Sequence, residues 1–314
     1  MTILHNNAIE NLLKASTSRR LSPFDDLPWE KVPSKDAFWL SPELISIYGQ
    51  PEYDALTLQQ RKQLSQLEFC LLCSVSASGE KEVVANMVRR MLKARYAPFR
   101  RYFHFFVEEE NNHIRMFAEF CERHGQFYPV LYSYAQGDVW KSAEAEDLLT
   151  FVHVLIFEEL GQGLNEVMMQ DDRLPDLVKA INGYHVADEG RHISFGRMLI
   201  REHAPAIKAL VGPVEWQMLQ EHVLKYLQTR HIEYHNTKIY RDVGLPQALS
   251  LRERLITAND ERFFAKSPRA VKRIASLIRF LGEVDLLSAH EIDRRQSAVT
   301  GCLFIRSGTK LALS

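Results

Sequence analysis

The sequence predicts an all-α protein, a core bundle of long helices with additional peripheral helices around it. Apolar residues recur at three- and four-residue spacing over long stretches, which is the helical period. Prolines, which interrupt helices, are sparse where those stretches lie: between Pro51 and Pro129 only Pro98 intervenes. Strand-like alternation is nearly absent, the tail Val299–Ile305 being a weak candidate. The 314 residues are 46% hydrophobic and 25% charged, which suits a globular chain and excludes disordered or low-complexity scaffolds. Lys+Arg 39 against Asp+Glu 40 leaves a net charge of -1 and no basic excess to hold a phosphate backbone, so no nucleic-acid partner is expected. The longest uncharged apolar stretch, Phe69 to Gly79, is far shorter than the ~20 residues that span a bilayer, and no membrane association is expected. The opening MTILHNNAIENLL has no basic cluster ahead of an apolar run, so no secretory signal is read there. Four Cys in a chain this long do not make a disulfide framework, and the expected location is the reducing cytoplasm.

Taken in order, a short helix is expected near residues 3–19. Five of the twelve prolines (Pro23, Pro28, Pro33, Pro42, Pro51) then crowd the following segment, so residues 1–56 read as an irregular arm of the same domain. The main domain is expected over residues 57–314, with long helices at 57–94, 98–124, 143–170 and 174–204. A further helix is expected at about 213–243, with shorter ones at 247–264, 267–283 and 285–297. Thr57 is placed to cap the first of the long helices, and Pro98 and Pro175 sit where a first-turn proline is tolerated.

Two of the long helices carry the same short pattern. FVEEENNHIRMF places Glu110 three residues before His113, and YHVADEGRHISF places Glu189 three residues before His192. That separation puts carboxylate and imidazole on one helix face, where both reach one ion. Oxygen plus imidazole nitrogen suits iron, manganese or zinc. Two such helices, each partnered by a helix offering a single Glu, form the carboxylate-bridged dimetal site of ferritin-like bundles. The fold class is therefore a ferritin-like helical bundle. On the first helix Glu80 lies in line with Phe69, Leu72, Cys73, Val83, Val84, Met87 and Met91, an acid on an apolar face that needs a cation or a proton. Glu82 aligns instead with Asn86, Arg89 and Lys93. In FVHVLIFEELGQGLNE the partner is Glu158 or Glu159; periodicity does not separate them, and Glu158 is preferred. His185 shares a face with Glu189 and His192 in the order His-x-x-x-Glu-x-x-His, and is read as a further ligand.

With this string (Glu80, Glu110-x-x-His113, Glu158, His185-x-x-x-Glu189-x-x-His192) the sequence resembles the arylamine N-oxygenase family, whose best-known member oxidises 4-aminobenzoate to the nitro compound. The likeness covers roughly residues 55–240. It implies a non-haem di-iron site with seven protein ligands, the extra one a histidine. It implies O2 as co-substrate, an external electron donor, and oxidation of a small-molecule amine through a peroxo-diferric species to hydroxylamine, nitroso or nitro, with a place in secondary-metabolite biosynthesis. It also implies a homodimer. Asp188 and Asn112 are placed to orient ligand imidazoles. Three rivals remain: a di-iron hydroxylase or desaturase acting on carbon, a ferritin-like metal-binding protein, and a metal-free helical interaction protein.

Weaker signals receive plainer readings. Cys70-x-x-Cys73 lies mid-helix without a second pair and reads as core packing. His231 and His235 stand four apart without a nearby carboxylate and read as surface histidines. Arg191, Arg294 and Arg295 are candidates to hold a substrate carboxylate, none singled out. Gly161 and Gly163 are expected to clear space beside the metals, and Tyr102 and Tyr184 to lie near the site.

Overall fold

The computed structural model describes residues 3–18, 20, 22–130, 142–257 and 267–295. They form α1 (Ile3–Ser18), α2 (Pro51–Asp54), α3 (Leu58–Met91), α4 (Arg100–His124), α5 (Ala143–Met168), α6 (Asp176–Thr229), α7 (Thr237–Asp242), α8 (Ala248–Thr257) and α9 (Pro268–Glu283). Residues 289–295 are helical as well, and no strand occurs among the described residues. The weak strand at Val299–Ile305 and the ends of the helices expected at 247–264 and 285–297 lie outside them.

Thr57 caps α3 by a reciprocal pair: its Oγ1 accepts from Gln60 N at 3.2 Å, and Gln60 Oε1 accepts from Thr57 N at 3.0 Å. Ser142 caps α5, its Oγ accepting from Ala145 N at 3.0 Å. The helix expected from 285 begins only at 289, after a turn in which Asp285 has a φ of 58°, and three further boundaries differ from expectation. Pro98 sits inside a 3₁₀ turn, Ala94–Phe99, and α4 begins at Arg100. The helix through His185 does not stop at 204; it runs past Pro205 and breaks only at Gly212, where φ is 75°, followed by Pro213. A positive φ is open to glycine at little cost, whereas Pro205 removes one hydrogen bond from a long ladder. The helix expected at 213–243 ends at Thr229, passes into a 3₁₀ turn (Arg230–Tyr234), and restarts as α7 because Asn236 Oδ1 accepts from Lys238 N at 2.9 Å.

Four long helices make the bundle: α3 packs along α4, α5 along α6, and α3–α5 and α4–α6 contacts close the set. The core of α4 is aromatic, with Phe103, Phe106, Phe117 and Phe120 each at most 2% exposed. Each such ring contributes about 1.5–3 kcal/mol by leaving water. α1 lies across α4 and α6, and α9 covers α5. The proline-rich arm is tied to the bundle through polar anchors: Trp39 N donates to Ser65 Oγ at 3.1 Å, and Ser46 N donates to Glu68 Oε2 at 2.8 Å. No helix among the described residues is long and apolar enough to cross a membrane.

Candidate metal centre

The bundle brings seven side chains from four helices to one buried point: Glu80 from α3, Glu110 and His113 from α4, Glu158 from α5, and His185, Glu189 and His192 from α6. None is more than 3% exposed. Their donor atoms fall into three overlapping groups, each with all atoms within 4.8 Å: Glu80, His113, His185 and Glu189; Glu110, His113, Glu189 and His192; and Glu80, Glu110 and Glu158. Glu110 and Glu189 are central. Glu110 Oε2 lies 3.2 Å from His113 Nδ1 and its Oε1 lies 2.8 Å from His192 Nδ1. Glu189 Oε1 stands 3.2 Å from both His113 Nδ1 and His185 Nε2. His185 Nε2 is also 3.0 Å from Glu80 Oε1.

The donor set fits two divalent metal ions. Both oxygens of Glu158, both of Glu189, Glu80 Oε2, Glu110 Oε1 and His192 Nδ1 are buried and have no hydrogen bond. A buried carboxylate oxygen without a hydrogen bond is costly, and four carboxylates around one point call for cations of matching total charge. Mixed carboxylate and imidazole donors suit iron or manganese. Burial, then the Glu110 carboxylate, raises the Glu80 carboxyl well above its ordinary range, and burial with Glu110 and Glu189 does the same to Glu158. Burial brings the His185 imidazole down to about 4, which leaves it neutral with a lone pair to offer. Burial also opposes the charged form of His113, but hydrogen bonds to Asp188 and Glu110 outweigh it and hold this imidazole up at about 10.

The outward nitrogens of two histidines are held by a crossed brace. Asp188 of α6 reaches His113 Nε2 of α4 at 3.3 Å, and Glu109 of α4 reaches His192 Nε2 of α6 at 2.7 Å. Arg191 ties the two acids, donating to Asp188 Oδ1 at 2.5 Å and Glu109 Oε1 at 2.7 Å. Its Nε donates to Ser16 Oγ of α1 at 3.1 Å, so the guanidinium is committed here and offers nothing to a substrate carboxylate. Sequence reasoning missed Glu109. The signal is that an acid precedes the ligand glutamate in both motifs, Glu109-Glu110 and Asp188-Glu189. Asn112 takes no part in this brace; its side chain bonds the Tyr184 hydroxyl. Asn165, also missed, lies against His185 Nδ1.

Glu158 joins the cluster and Glu159 does not. Glu159 is equally buried but turned towards α9, with Arg197 Nε donating to its Oε1 at 2.7 Å and Arg273 to its Oε2 at 3.1 Å. Tyr184 is near, its ring centroid 6.1 Å from that of His113, and Tyr102 is buried beside Phe106, the ring that packs on His192. Gly163 faces α9, where a Cβ would meet Ala270 at 3.7 Å, and a Cβ at Gly161 would meet nothing within 4 Å. His231 and His235 are not surface residues. They are 2% and 3% exposed, His231 on the 3₁₀ turn and His235 just after it, and His235 Nδ1 lies 2.9 Å from the Tyr240 hydroxyl. The helix ends before them and folds them inward. Cys70, Cys73 and Cys121 are buried free thiols packed together. Arg294 and Arg295 both pair with Glu291.

A family model described as p-aminobenzoate N-oxygenase AurF matches residues 5–282. The chain belongs to that family. Curated relatives include uncharacterised proteins of Mycobacterium tuberculosis and Mycobacterium bovis, each 24% identical over 211 residues, covering 63% of this chain and 61% of the relative. The chain thus matches about three-fifths of the length of those relatives. Among solved structures, a mutant R2-like ligand-binding oxidase with a Mn/Fe cofactor aligns over 90% of this chain and 93% of its own at 16% identity and TM-score 0.45. Another mutant, with an Fe/Fe cofactor, aligns over 83% and 93% at 14% identity and TM-score 0.41.

Proposed function

We propose that the protein is an O2-dependent dimetal N-oxygenase that oxidises the amine of a small molecule, with two irons as its cofactor, in a biosynthetic pathway. The observation that supports this best is the convergence of four glutamates and three histidines, His185 among them, at one buried point in a chain of the AurF family. When bound, the two metals supply O2 activation. The residues of the chain hold and shield that chemistry. Glu110 and Glu189, placed among the histidines, would hold the metal ions together with His113, His185 and His192, and Glu80 and Glu158 would complete the charge balance. Glu109, Asp188 and Arg191 fix the imidazole planes from outside. Phe106, with its ring centroid 4.1 Å from that of His192, and Phe117, 5.1 Å from His185, keep water from the centre. The reaction draws electrons from an external donor.

The test is to load the protein with Fe(II) without oxygen, add an arylamine and a reductant, admit O2, and follow O2 uptake with mass analysis of the product. Amine-dependent uptake with oxygen on nitrogen is expected. Oxygen on carbon instead would transfer the protein to the hydroxylases. Iron oxidation indifferent to amines would make it an iron-handling protein.

A further inference from the structure

The three histidines of the candidate centre are not backed alike. His113 and His192 turn Nδ1 inward, towards Glu110 and Glu189, and their outward Nε2 atoms face carboxylates, those of Asp188 and Glu109. His185 is turned the other way. Its Nε2 points inward, 3.0 Å from Glu80 Oε1 and 3.2 Å from Glu189 Oε1, and its outward Nδ1 faces the side-chain amide of Asn165 at 2.5 Å. Asn165 is 3% exposed and follows Glu158 by seven residues, about two helical turns, so one face of α5 supplies both side chains. The rings of Phe117 and His113 flank that of His185, with centroids 5.1 and 4.5 Å away, and the amide meets its edge.

We propose that Asn165 is a positioning residue of the dimetal site: its Oδ1 accepts a hydrogen bond from His185 Nδ1–H, which keeps the lone pair of Nε2 directed at the metal position. The assignment rests on the dimetal part of the proposed function and not on which substrate atom is oxidised. An imidazole that binds a metal through one nitrogen carries its proton on the other, and that N–H needs an acceptor. The amide stands with Nδ2 towards the ring, and a half-turn about its last bond brings Oδ1 to the same place. A neutral acceptor suits this position. Four glutamates already surround the centre and Asp188 and Glu109 lie behind the other two rings, so a further buried carboxylate would add charge that the amide orients the ring without.

The test measures the Fe(II) affinity of the full chain without oxygen, by competition with a chelator of known affinity, and needs no turnover. Asn165→Leu, close in size and without hydrogen-bonding groups, is expected to weaken iron binding at one position by roughly 10–100-fold. Asn165→Asp keeps an acceptor oxygen and gives up only the amide donors, and is expected to restore most of that loss. Placed on His185→Ala, Asn165→Leu is expected to lower affinity no further, because the amide acts through that ring. Should Asn165→Leu fail to fold, Asn165→Ala removes the same oxygen and takes its place in both comparisons. With two irons held by the wild-type chain, any of three results overturns the assignment and leaves the dimetal reading standing. These are unchanged affinity without the amide, an equal loss in Asn165→Asp, and a loss that persists in full on His185→Ala. A wild-type chain that holds no stoichiometric iron overturns the dimetal reading and the assignment with it.

Discussion

Glu110 stands between two histidines and Glu189 against three, which makes them the least replaceable residues of the proposed centre. Glu110→Ala or Glu189→Ala is expected to abolish metal binding at both positions and with it all activity, measured by metal content after gel filtration. His185→Ala should keep the fold, judged by far-UV circular dichroism, and weaken one metal position. Full turnover with normal metal content in that variant would remove His185 from the ligand set. Glu109 and Asp188 act one step further out. Glu109→Gln is expected to lower metal affinity by roughly 10–100-fold, as loss of a carboxylate behind a metal-bound imidazole does elsewhere. Competition with a chelator of known affinity measures it.

At the scale of elements, ion pairs decide how the helices and the arm are held. Arg90 of α3 donates to Asp147 of α5 at 2.7 Å, and the two side chains are 3% and 1% exposed. Lys93 and Tyr96 also reach Asp147, at 2.8 and 3.0 Å. Asp147→Ala strands the buried Arg90 guanidinium of α3 and should cost about 3–5 kcal/mol, read as a lower midpoint in urea. The arm is clamped by Arg173, which binds Glu43 at 2.7 Å, while Ser41 donates to Asp171 at 2.6 Å. The Arg173 hydrogen bond lowers Glu43; burial raises Asp171, but Arg173 and Ser41 outweigh it and lower it too. Carboxyls lowered in the folded state stabilise above their unfolded values, 4.5 and 3.8, and lose that contribution as pH falls through the folded ones. The arm should therefore loosen in acid, below about pH 4, with exposure of Trp29 and Trp39 seen in fluorescence. Arg173→Ala should loosen it already at neutral pH.

The same scale shows what the sequence makes legible. The order of the long helices follows from periodicity, because each has a face that must be buried, and Thr57 caps α3 by local chemistry alone. Glu80 is recognisable because it is an acid on an apolar stripe, and the two Glu-x-x-His motifs because the spacing is internal to one helix. What spacing within a helix does not contain is register between helices. Glu159 is as buried as Glu158, and only the position of Arg197 and Arg273 turns it away. Glu109 reaches His192 across a helix pair, and Phe157 rests against a glycine 78 positions earlier. The histidines at 231 and 235 are misread because a 3₁₀ turn replaces the helix on which their spacing was judged.

For the whole molecule, the buried cluster ties stability to metal. A ligand that binds only the folded chain stabilises it by mass action, about 2.7 kcal/mol once free metal stands at about 100 times Kd. Reconstituted protein should melt higher than chelator-treated protein, and Glu110→Ala should lose that difference. The central claim is that four glutamates and three histidines hold two metal ions inside this bundle, and the most direct measurement is metal content per chain after anaerobic loading with Fe(II) and gel filtration. Two ions per chain, falling away in Glu110→Ala with the fold intact, is the expected result. A folded wild-type chain that retains no stoichiometric metal would contradict it.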